Sequence, residues 1–590
     1  MSIPAQASRP AAVGAAIGAA LGVLVLGPAL VPGHTLHYDL VFVPDLPLSA
    51  RTLGIDGSVP GAVPNDLVVA LLGPVLPGWL VQKVLLLGAF VIGGAGAGSL
   101  ARTLPGAAAV AVLWSRNPWV GERPGIGHWG YLLGFAMLPW VLSAATRIRE
   151  RRGRALLVVS LTAAALGGST PGVPATGLAT VTVVCLGGPV RAVARDLTIV
   201  LGTSLPANAA RWWPFLRSAP KAADAHGADA FAAGADTPFG VPGSLVLGGG
   251  LWNDRTRFVE RTTRPVAPAA LVAVLLVLVL AMCRRTRWRG PRERAATAAG
   301  VIGLLVAALA TLPGGAGVLE AVLTHVPGGG LLRDAQKFTA PWVLLLAVAT
   351  AVVVDRSVER RAPVLPILPG RRPAVGHAPF AGPGPRRRPG QRRLPPDVRA
   401  VAQQLADSDD PVAVFPWSTY RRYAWNADRV VLDPWNRLLP QPVLSDDRLP
   451  LRQGTVAGED PAAARVTRSP DEGGTPSPSC DPSVCAGSSC SGTSPLRTAP
   501  SPTCQGPRPP RSVTSSCTTR ARAASARRHR IACEARGCWA PQVPCSCASW
   551  RSCAGALANE TSATRGTGSR QVTARYTVGT IRIRSMEDHQ

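Results

Sequence analysis

The stretch AAVGAAIGAALGVLVLGPALV, from Ala11 to Val31, decides the fold class because it is long, apolar and free of charged residues. A helix needs roughly 20 apolar residues to cross the hydrocarbon core of a bilayer. Further apolar stretches follow at residues 78–101, 104–114, 128–145, 155–168, 174–190, 197–213, 266–283, 296–312 and 339–354. The sequence therefore predicts an all-α polytopic membrane protein, with about ten transmembrane helices within residues 1–355.

The charges of the connecting loops predict how this bundle is oriented. Arginines concentrate at 147–154, 191–195 and 284–294, whereas the 32–66 loop is acidic. Cytoplasmic loops of membrane proteins are rich in Lys and Arg, so we expect both ends of the ten-helix bundle in the cytoplasm and the 32–66 loop outside. The first apolar stretch is interpreted as a retained helix of a multi-pass cell-membrane protein, because it lacks the features of a cleavable signal peptide. The net charge of +28 comes largely from loop and tail arginines and does not indicate a nucleic-acid partner.

Residues 397–455 differ from the bundle and predict a small soluble α/β module. Val398 to Leu405 is expected to be helical and Val412 to Phe415 to be a strand, followed by an aromatic and basic run at 416–426. That run suits either a structural aromatic cluster or a contact with carbohydrate or protein. With ten membrane helices the module would lie inside, and with an eleventh it would lie outside, beside the 32–66 loop.

The tail at 456–590 is predicted to be disordered and of low complexity. From Asp471 to Gln590 the only leucines are Leu496 and Leu557, too few for a hydrophobic core. Ten of the twelve cysteines lie there, without the repeated spacing of a disulfide frame or a zinc site. Alanine, glycine and leucine codons of a GC-rich gene give Arg, Pro, Ser, Cys and Thr when shifted by one base. We therefore interpret the tail and the basic Pro/Arg-rich linker at 356–396 as sequence read out of frame, with an eleventh helix lost in the linker.

The loop after the first helix contains two candidate catalytic carboxylates, Asp39 and Asp45. A carboxylate at a membrane surface can accept a proton from a sugar hydroxyl or help to bind a divalent cation, and burial would raise its basicity. Of the two, Asp39 is the better candidate. The alternative is that both aspartates only keep the loop solvated.

Two later loops contain candidate substrate-binding residues. The first has Glu122, Arg123 and His128, where an arginine can hold a phosphate and a glutamate can orient it or a sugar. The tryptophans at 119, 129 and 140 suit a lipid interface. The second has Arg333 and Lys337, which would face the same way on a helical turn and clamp a phosphate. Cationic anchoring of a helix end is the alternative for this pair.

The order of these features resembles actinobacterial multi-pass membrane proteins of the GT-C glycosyltransferase superfamily. The resemblance covers roughly residues 10–455 and is to arabinofuranosyltransferase-like proteins of cell-envelope assembly. It rests on the acidic loop after the first helix, Asn117-Pro118-Trp119 before Glu122-Arg123, Gly127-His128-Trp129, and Arg333-Asp334 with Gln336-Lys337 before a late helix.

The resemblance implies a glycosyltransferase that takes a sugar from a polyprenyl-phosphate donor and passes it to a cell-envelope glycan acceptor on the outer face. It implies that Asp39 is the catalytic base, with Asp45 second, and that Arg123, Arg333 and Lys337 stabilise the leaving phosphate. The loop lacks a tight Asp-x-Asp pair, and the large carbohydrate-binding portion of the biggest relatives is absent or scrambled.

Two other functions stay open, a flippase for a lipid-linked sugar and a non-catalytic membrane scaffold. A flippase needs charged or broken-helix sites within the membrane, and the nearly charge-free apolar stretches count against it. No protein metal ligands are identified, and a divalent cation is the one cofactor left open.

Overall fold

A computed structural model describes residues 5–55, 62–210, 212–213, 227–258, 261–262, 266–283, 288–326, 328–361, 394–406, 408, 410–451, 454–468 and 577–580. Residues 362–393 of the predicted linker and most of the tail that we interpret as out of frame lie outside this range. Within the predicted tail, the described parts include a helix at Pro461–Arg468 and a strand at Thr577–Thr580.

The structure is mostly helical. The helices are α1 Ala5–Leu26, α2 Ala50–Leu53, α3 Asn65–Leu72, α4 Gly78–Gly98, α5 Leu104–Ser115, α6 Pro118–Ile126, α7 Trp129–Ala145, α8 Arg151–Leu166, α9 Ser169–Leu186, α10 Val190–Ala207, α11 Gly227–Ala230, α12 Gly240–Val246, α13 Val266–Met282, α14 Pro291–Ala308, α15 Gly315–His325, α16 Ala340–Glu359, α17 Pro396–Leu405, α18 Trp435–Leu438 and α19 Pro461–Arg468. Short 3₁₀ helices lie at Gly27–Leu30, Asp254–Thr256, Leu309–Thr311, Gly329–Leu332, Ala335–Thr339 and Ala424–Asn426.

Every apolar stretch that the sequence singled out is a helix. Four helical spans are long and apolar enough to cross a membrane, namely Arg9–Leu30, Gly78–Gly98, Pro291–Thr311 and Ala335–Glu359. Three shorter apolar helices, Trp129–Ala145, Thr170–Leu186 and Val266–Met282, accompany them. The other three predicted spans, α5, α8 and α10, are short or carry arginines in their first turns.

The outer helices and the central helix differ in burial. Along α16 every residue from Ala340 to Asp355 is buried, so this helix is at the centre of the bundle. By contrast, Val272 and Leu305 on the outer helices are 64% and 56% exposed. Large exposed apolar surfaces are unusual in proteins surrounded by water, and they are expected where lipid is the solvent.

Helices α1 and α4 cross closely at two glycine pairs. A Cβ on Gly14 would lie 2.2 Å from the Gly94 carbonyl oxygen, and a Cβ on Gly98 would lie 2.6 Å from the Pro10 carbonyl oxygen. Gly14 and Gly18 on α1, like Gly94 and Gly98 on α4, have the small-xxx-small spacing that lets membrane helices approach. Close backbone packing therefore fixes α1 against α4.

The two ends of the bundle have different charges. The end that we call the Arg-rich end joins the loops at 100–103, 146–150, 187–189 and 290–294. Its contacts are Arg292 with the Leu100 carbonyl, Arg294 with the Cys185 carbonyl, Arg149 with Asp196, and the Arg102 amide with Asp355. We call the opposite end the Asp39 end. Helix α4 begins there, where the Gly78 amide donates to the Pro44 carbonyl, and ends at Gly98 at the Arg-rich end. The Asp39 end includes residues 32–46, 62–77 and 116–128.

Three small sheets follow the bundle. Their strands are β1 Val412–Phe415, β2 Tyr420–Arg422, β3 Val430–Leu432, β4 Val443–Leu444, β5 Leu449–Leu451, β6 Gly454–Val456 and β7 Thr577–Thr580. Strand β1 pairs parallel with β4 and antiparallel with β7, while β2 with β3 and β5 with β6 form antiparallel pairs. The helix and the first strand lie where the sequence predicted them.

The described part of this region, residues 394–468, packs on the Asp39 end of the bundle and is called the 394–468 segment. The Tyr38 amide donates to the Val430 carbonyl at 2.8 Å, and the Leu432 amide donates to the Tyr38 carbonyl at 2.9 Å. Arg437 forms an ion pair with Asp66 at 2.9 Å. Of the two positions that the sequence left open for this region, the structure has the one beside the 32–66 loop.

Candidate functional site

A close contact between two loops places Asp39. The Asp39 amide donates to the Ile126 carbonyl at 3.2 Å, and Gly127 follows with φ of +86°. A Cβ on Gly127 would lie 2.2 Å from the Leu40 nitrogen. A glycine is therefore required here on two counts, the positive φ and the space. The result is that Asp39 of the first loop lies beside His128, which directly precedes α7.

Two side chains hold the Asp39 carboxylate. His128 Nε2 lies 3.2 Å from Oδ2, and the Tyr420 hydroxyl donates to Oδ1 at 2.6 Å. The Asp39 side chain is 35% exposed, so solvent or a ligand can still reach it. Burial raises the pKa of Asp39, but the contacts with His128 and Tyr420 outweigh it and hold this pKa below its ordinary value.

The expectation that burial would make Asp39 more basic is therefore wrong. Donors on both oxygens stabilise the charged form more than partial burial destabilises it. Asp39 is ionised at neutral pH and can accept a proton, but with a smaller driving force than a carboxylate of raised pKa.

The contact with Arg123 indicates the tautomer of His128. Arg123 Nη1 lies 3.2 Å from His128 Nδ1, and an arginine can only donate hydrogen bonds. We therefore assign Nδ1 as the acceptor, which leaves the proton on Nε2, where it points at Asp39. His128 is thus an oriented hydrogen-bond donor to the carboxylate.

Arg123 itself is completely buried. Helix α6 is started by Asn117, whose side-chain oxygen accepts from the Val120 amide at 3.0 Å. The helix places the Arg123 guanidinium 3.4 Å from Asp334 Oδ2 and in contact with Gln336, whose amide nitrogen donates to the Gly249 carbonyl. Arg123 is therefore committed to protein partners.

The sequence suggested that Trp119 and Trp129 anchor the protein at a lipid interface, but both are buried in the protein. Trp119 is 2% exposed and Trp129 is 5% exposed. Trp119 stacks on Phe135 at 4.6 Å between ring centroids, and the Arg123 guanidinium lies 4.8 Å from its ring. Trp119 thus packs between Phe135 and the Arg123 guanidinium.

Glu122 lies beside a second buried cluster, which contains Asp236 and Arg261. Its side chain is fully buried, and neither carboxylate oxygen has a hydrogen-bond donor among the described residues. Burial and the neighbouring Asp236 raise the pKa of Glu122 well above its ordinary value. Asp236 is in turn paired with Arg261 at 2.8 Å. Burial beside this ion pair thus favours the neutral form of Glu122, and the side chain has no surface open to a substrate.

The loop ahead of α16 separates the two predicted phosphate ligands. Arg333 and Lys337 do not share a helical turn. Arg333 ends one 3₁₀ helix, Lys337 lies in the next, and Asp334 separates the two. Arg333 pairs with Glu459 at 2.8 Å and lies over Phe231, whereas Lys337 lies 5.8 Å from the Tyr131 ring. The predicted clamp by both residues on one helix face is therefore wrong.

Among the three predicted phosphate ligands, Lys337 is the one without an ion pair to a described residue, since Arg123 pairs with Asp334 and Arg333 with Glu459. Its ammonium has no hydrogen bond or ion pair with any residue that the structure describes. Lys337 is 5% exposed and lines a narrow cleft. The other walls of this cleft are Trp119, Tyr131, Gly134, Phe135, Leu138, Thr170, Pro171, Pro174 and Ala340. The ring of Tyr131 contacts both Lys337 and His128, whose ring centroid lies 4.9 Å from that of Tyr131.

Sequence reasoning missed Tyr420, Asp334 and Gln336 as parts of this site. Tyr420 lies in the aromatic run at 416–426, and the other two lie between Arg333 and Lys337. The sequence thus showed these residues but not the side chains that they contact. Asp45, the second candidate base, is exposed and makes no ion pair or side-chain hydrogen bond with other described residues. Within the described residues, no three His, Cys, Asp or Glu side chains are grouped to hold a metal ion.

Comparison with protein-family models, with curated proteins and with solved structures gave no match. Function is therefore argued from the site alone.

Proposed function

We propose that this chain is an integral membrane glycosyltransferase of the GT-C type, which moves a sugar from a polyprenyl-phosphate donor to a cell-envelope acceptor on the outer face. The observation that carries the proposal is the Asp39 carboxylate, oriented by His128 and still 35% exposed, at the same end of the bundle as the uncommitted Lys337.

Asp39 has the features that a general base for a sugar hydroxyl requires. It is ionised, it has free lone pairs on both oxygens, and its position is fixed by two donors. Asp45 lacks such an environment in the structure. Asp39 would accept the proton of the acceptor hydroxyl as that oxygen attacks the anomeric carbon.

Lys337 would stabilise the phosphate that leaves. Of the three cations proposed for this role, Arg123 is paired with Asp334 and Arg333 with Glu459 within the described residues. The walls of the cleft beside Lys337 are largely apolar, as expected next to the lipid part of such a donor. A fixed positive charge in a partly dry site stabilises developing negative charge more than the same charge in water.

The arrangement of charge supports an outer-face site. Ten membrane helices with the arginines at one end would place the Arg-rich end in the cytoplasm and the Asp39 end outside. The 394–468 segment packs on the Asp39 end, so it would lie outside as well, which is the arrangement expected with an eleventh membrane helix.

The test is transfer from radiolabelled polyprenyl-phosphate sugars to an envelope acceptor fraction, in membranes containing the full chain. Asp39→Asn should lower transfer by about 10²- to 10⁴-fold, the usual contribution of a general base. Lys337→Met should also lower it, whereas Asp45→Asn, a matched change in the same loop, should leave it within about twofold. Undiminished transfer by Asp39→Asn would overturn the proposal. Movement of the lipid-linked sugar across vesicles without transfer would favour a flippase instead.

A further inference from the structure

The 394–468 segment reaches the candidate base through Tyr420. Tyr420 opens strand β2 and pairs with Leu432 of β3. Strand β3 in turn pairs with Tyr38, the residue before Asp39. A single ladder of backbone hydrogen bonds thus links the residue that carries the hydroxyl to the loop that carries the carboxylate.

Further contacts fix the segment in this position. Leu36 and Val41 of the first loop form a buried cluster with Tyr423 and Val431. The Asn426 side-chain nitrogen donates to the Leu36 carbonyl at 3.2 Å. Together with the ion pair between Asp66 and Arg437, these contacts surround Tyr420, so its position does not depend on the one hydroxyl contact.

The contact has the geometry of a strong, charge-assisted hydrogen bond. The distance of 2.6 Å from the Tyr420 oxygen to Asp39 Oδ1 is in the range for a hydroxyl donating to a carboxylate. Burial and the adjacent Asp39 charge raise the pKa of Tyr420 well above its ordinary value, so the hydroxyl stays protonated. With His128 on the other oxygen, the plane of the carboxylate is fixed while one lone pair on each oxygen stays free.

We propose that Tyr420 is a positioning residue for Asp39, and that the 394–468 segment therefore completes a site of which the bundle supplies the rest. The inference rests on the proposed role of Asp39 as a base. Tyr420 touches neither the sugar nor the phosphate in this scheme. It orients the Asp39 carboxylate and keeps it charged, so that a free lone pair points at the acceptor hydroxyl.

The test compares Tyr420→Phe with Tyr423→Phe in the full chain. Tyr423 is a matched control, since its hydroxyl donates to Asp433 at 3.0 Å in the same segment. The groups that act on the Asp39 charge are His128 of the α7 start, Tyr420 of β2 and Arg437 of α18. Both variants retain His128 and Arg437. They differ in that only Tyr420→Phe removes the hydroxyl that donates to Asp39.

The first measurement needs no enzyme assay. The difference between infrared titrations of the parent chain and Asp39→Asn isolates the carboxyl band of Asp39. Loss of the Tyr420 donor should raise the pKa of Asp39 by about one to two units, because a hydrogen bond to a charged group contributes that much. Tyr423→Phe should leave the band unmoved.

The second measurement is the pH profile of transfer. In Tyr420→Phe the acid limb should move to higher pH by the same amount, and kcat should fall about tenfold with little change in KM for the acceptor. An unmoved Asp39 band, or an equal shift in Tyr423→Phe, would overturn the role of Tyr420. If the band moves but Asp39→Asn transfers sugar normally, the proposed function fails while the coupling of Tyr420 to Asp39 stands.

Discussion

The two ends of the bundle each hold a carboxylate, and the two are held in different ways. At the Arg-rich end Asp355 is 3% exposed and accepts from the Arg102 amide, the Thr103 amide and the Thr103 hydroxyl at 2.6 to 3.0 Å. At the other end Asp39 accepts from two side chains of distant segments and is 35% exposed.

The difference separates a structural carboxylate from a candidate reactive one. Within the described residues, Asp355 receives its hydrogen bonds from Arg102 and Thr103 at the start of α5, and acts as a cap that joins α16 to α5. No surface of Asp355 is left for a ligand. Asp39 is equally well anchored, but its donors leave lone pairs and an open face.

The largest expected effect concerns the side of the membrane on which the Arg-rich end and the Asp39 end lie. A cysteine at Asp45 and one at Thr455 should be labelled by an impermeant maleimide from the same side of sealed vesicles, and a cysteine at Arg151 only from the other side. All three positions are exposed. The measurement is label incorporated above that of the parent chain, before and after permeabilisation. Labelling of Thr455 together with Arg151 would contradict the packing of the 394–468 segment on the Asp39 end.

The next effect is on stability at the Arg-rich end. Asp355→Asn replaces one acceptor oxygen by an amide group that faces backbone donors, so we expect a loss of about 1–3 kcal/mol in the free energy of unfolding. Thermal unfolding of the purified chain in detergent measures it. Transfer per folded molecule should be unchanged, which is the reverse of Asp39→Asn. If Asp355→Asn lost activity without losing stability, the contrast between the two carboxylates would be broken.

The smallest effect concerns Glu122, a third carboxylate close to the Asp39 end. Its pKa is raised in the folded chain, so its contribution to stability is full below the ordinary glutamate pKa and is lost as pH rises through the raised value. Gln is a neutral mimic of the protonated form. Glu122→Gln should therefore raise the melting temperature by about 2–4 °C at about pH 8 and by less at about pH 5.

The control for this prediction is Glu320→Gln, since Glu320 is exposed. It should change the melting temperature little at either pH. A destabilised Glu122→Gln at the higher pH would mean that Glu122 is charged in the fold and paired with Arg261 or Arg123.

Hydropathy predicted the helices well because it is a local property. Each apolar stretch became a helix, and the alternation of loop charge corresponds to two ends of unlike charge. The glycines of α1 and α4 were part of that pattern, but their pairing across the two helices was not visible in the sequence. The number of helices that cross the membrane stays a prediction, with four spans long and apolar enough by length and composition.

The candidate site was predicted in its residue types more than in its connections. Asp39, Arg123, His128 and Lys337 were named from the sequence, and the structure brings them to one end of the bundle. Glu122 was grouped with Arg123 because they are adjacent, although neighbouring residues on a helix face different directions. Its actual neighbour, Asp236, lies far along the chain.

By itself, then, the sequence determined which segments avoid water, which loops carry charge and which polar side chains lie near a membrane surface, because those properties depend only on neighbouring residues. The tertiary structure alone decided that Tyr420 meets Asp39, that Arg123 is committed to Asp334 while Lys337 is not, and that the 394–468 segment covers the Asp39 end. Those outcomes depend on contacts between residues hundreds of positions apart, and no local pattern encodes which distant donor a carboxylate will accept from.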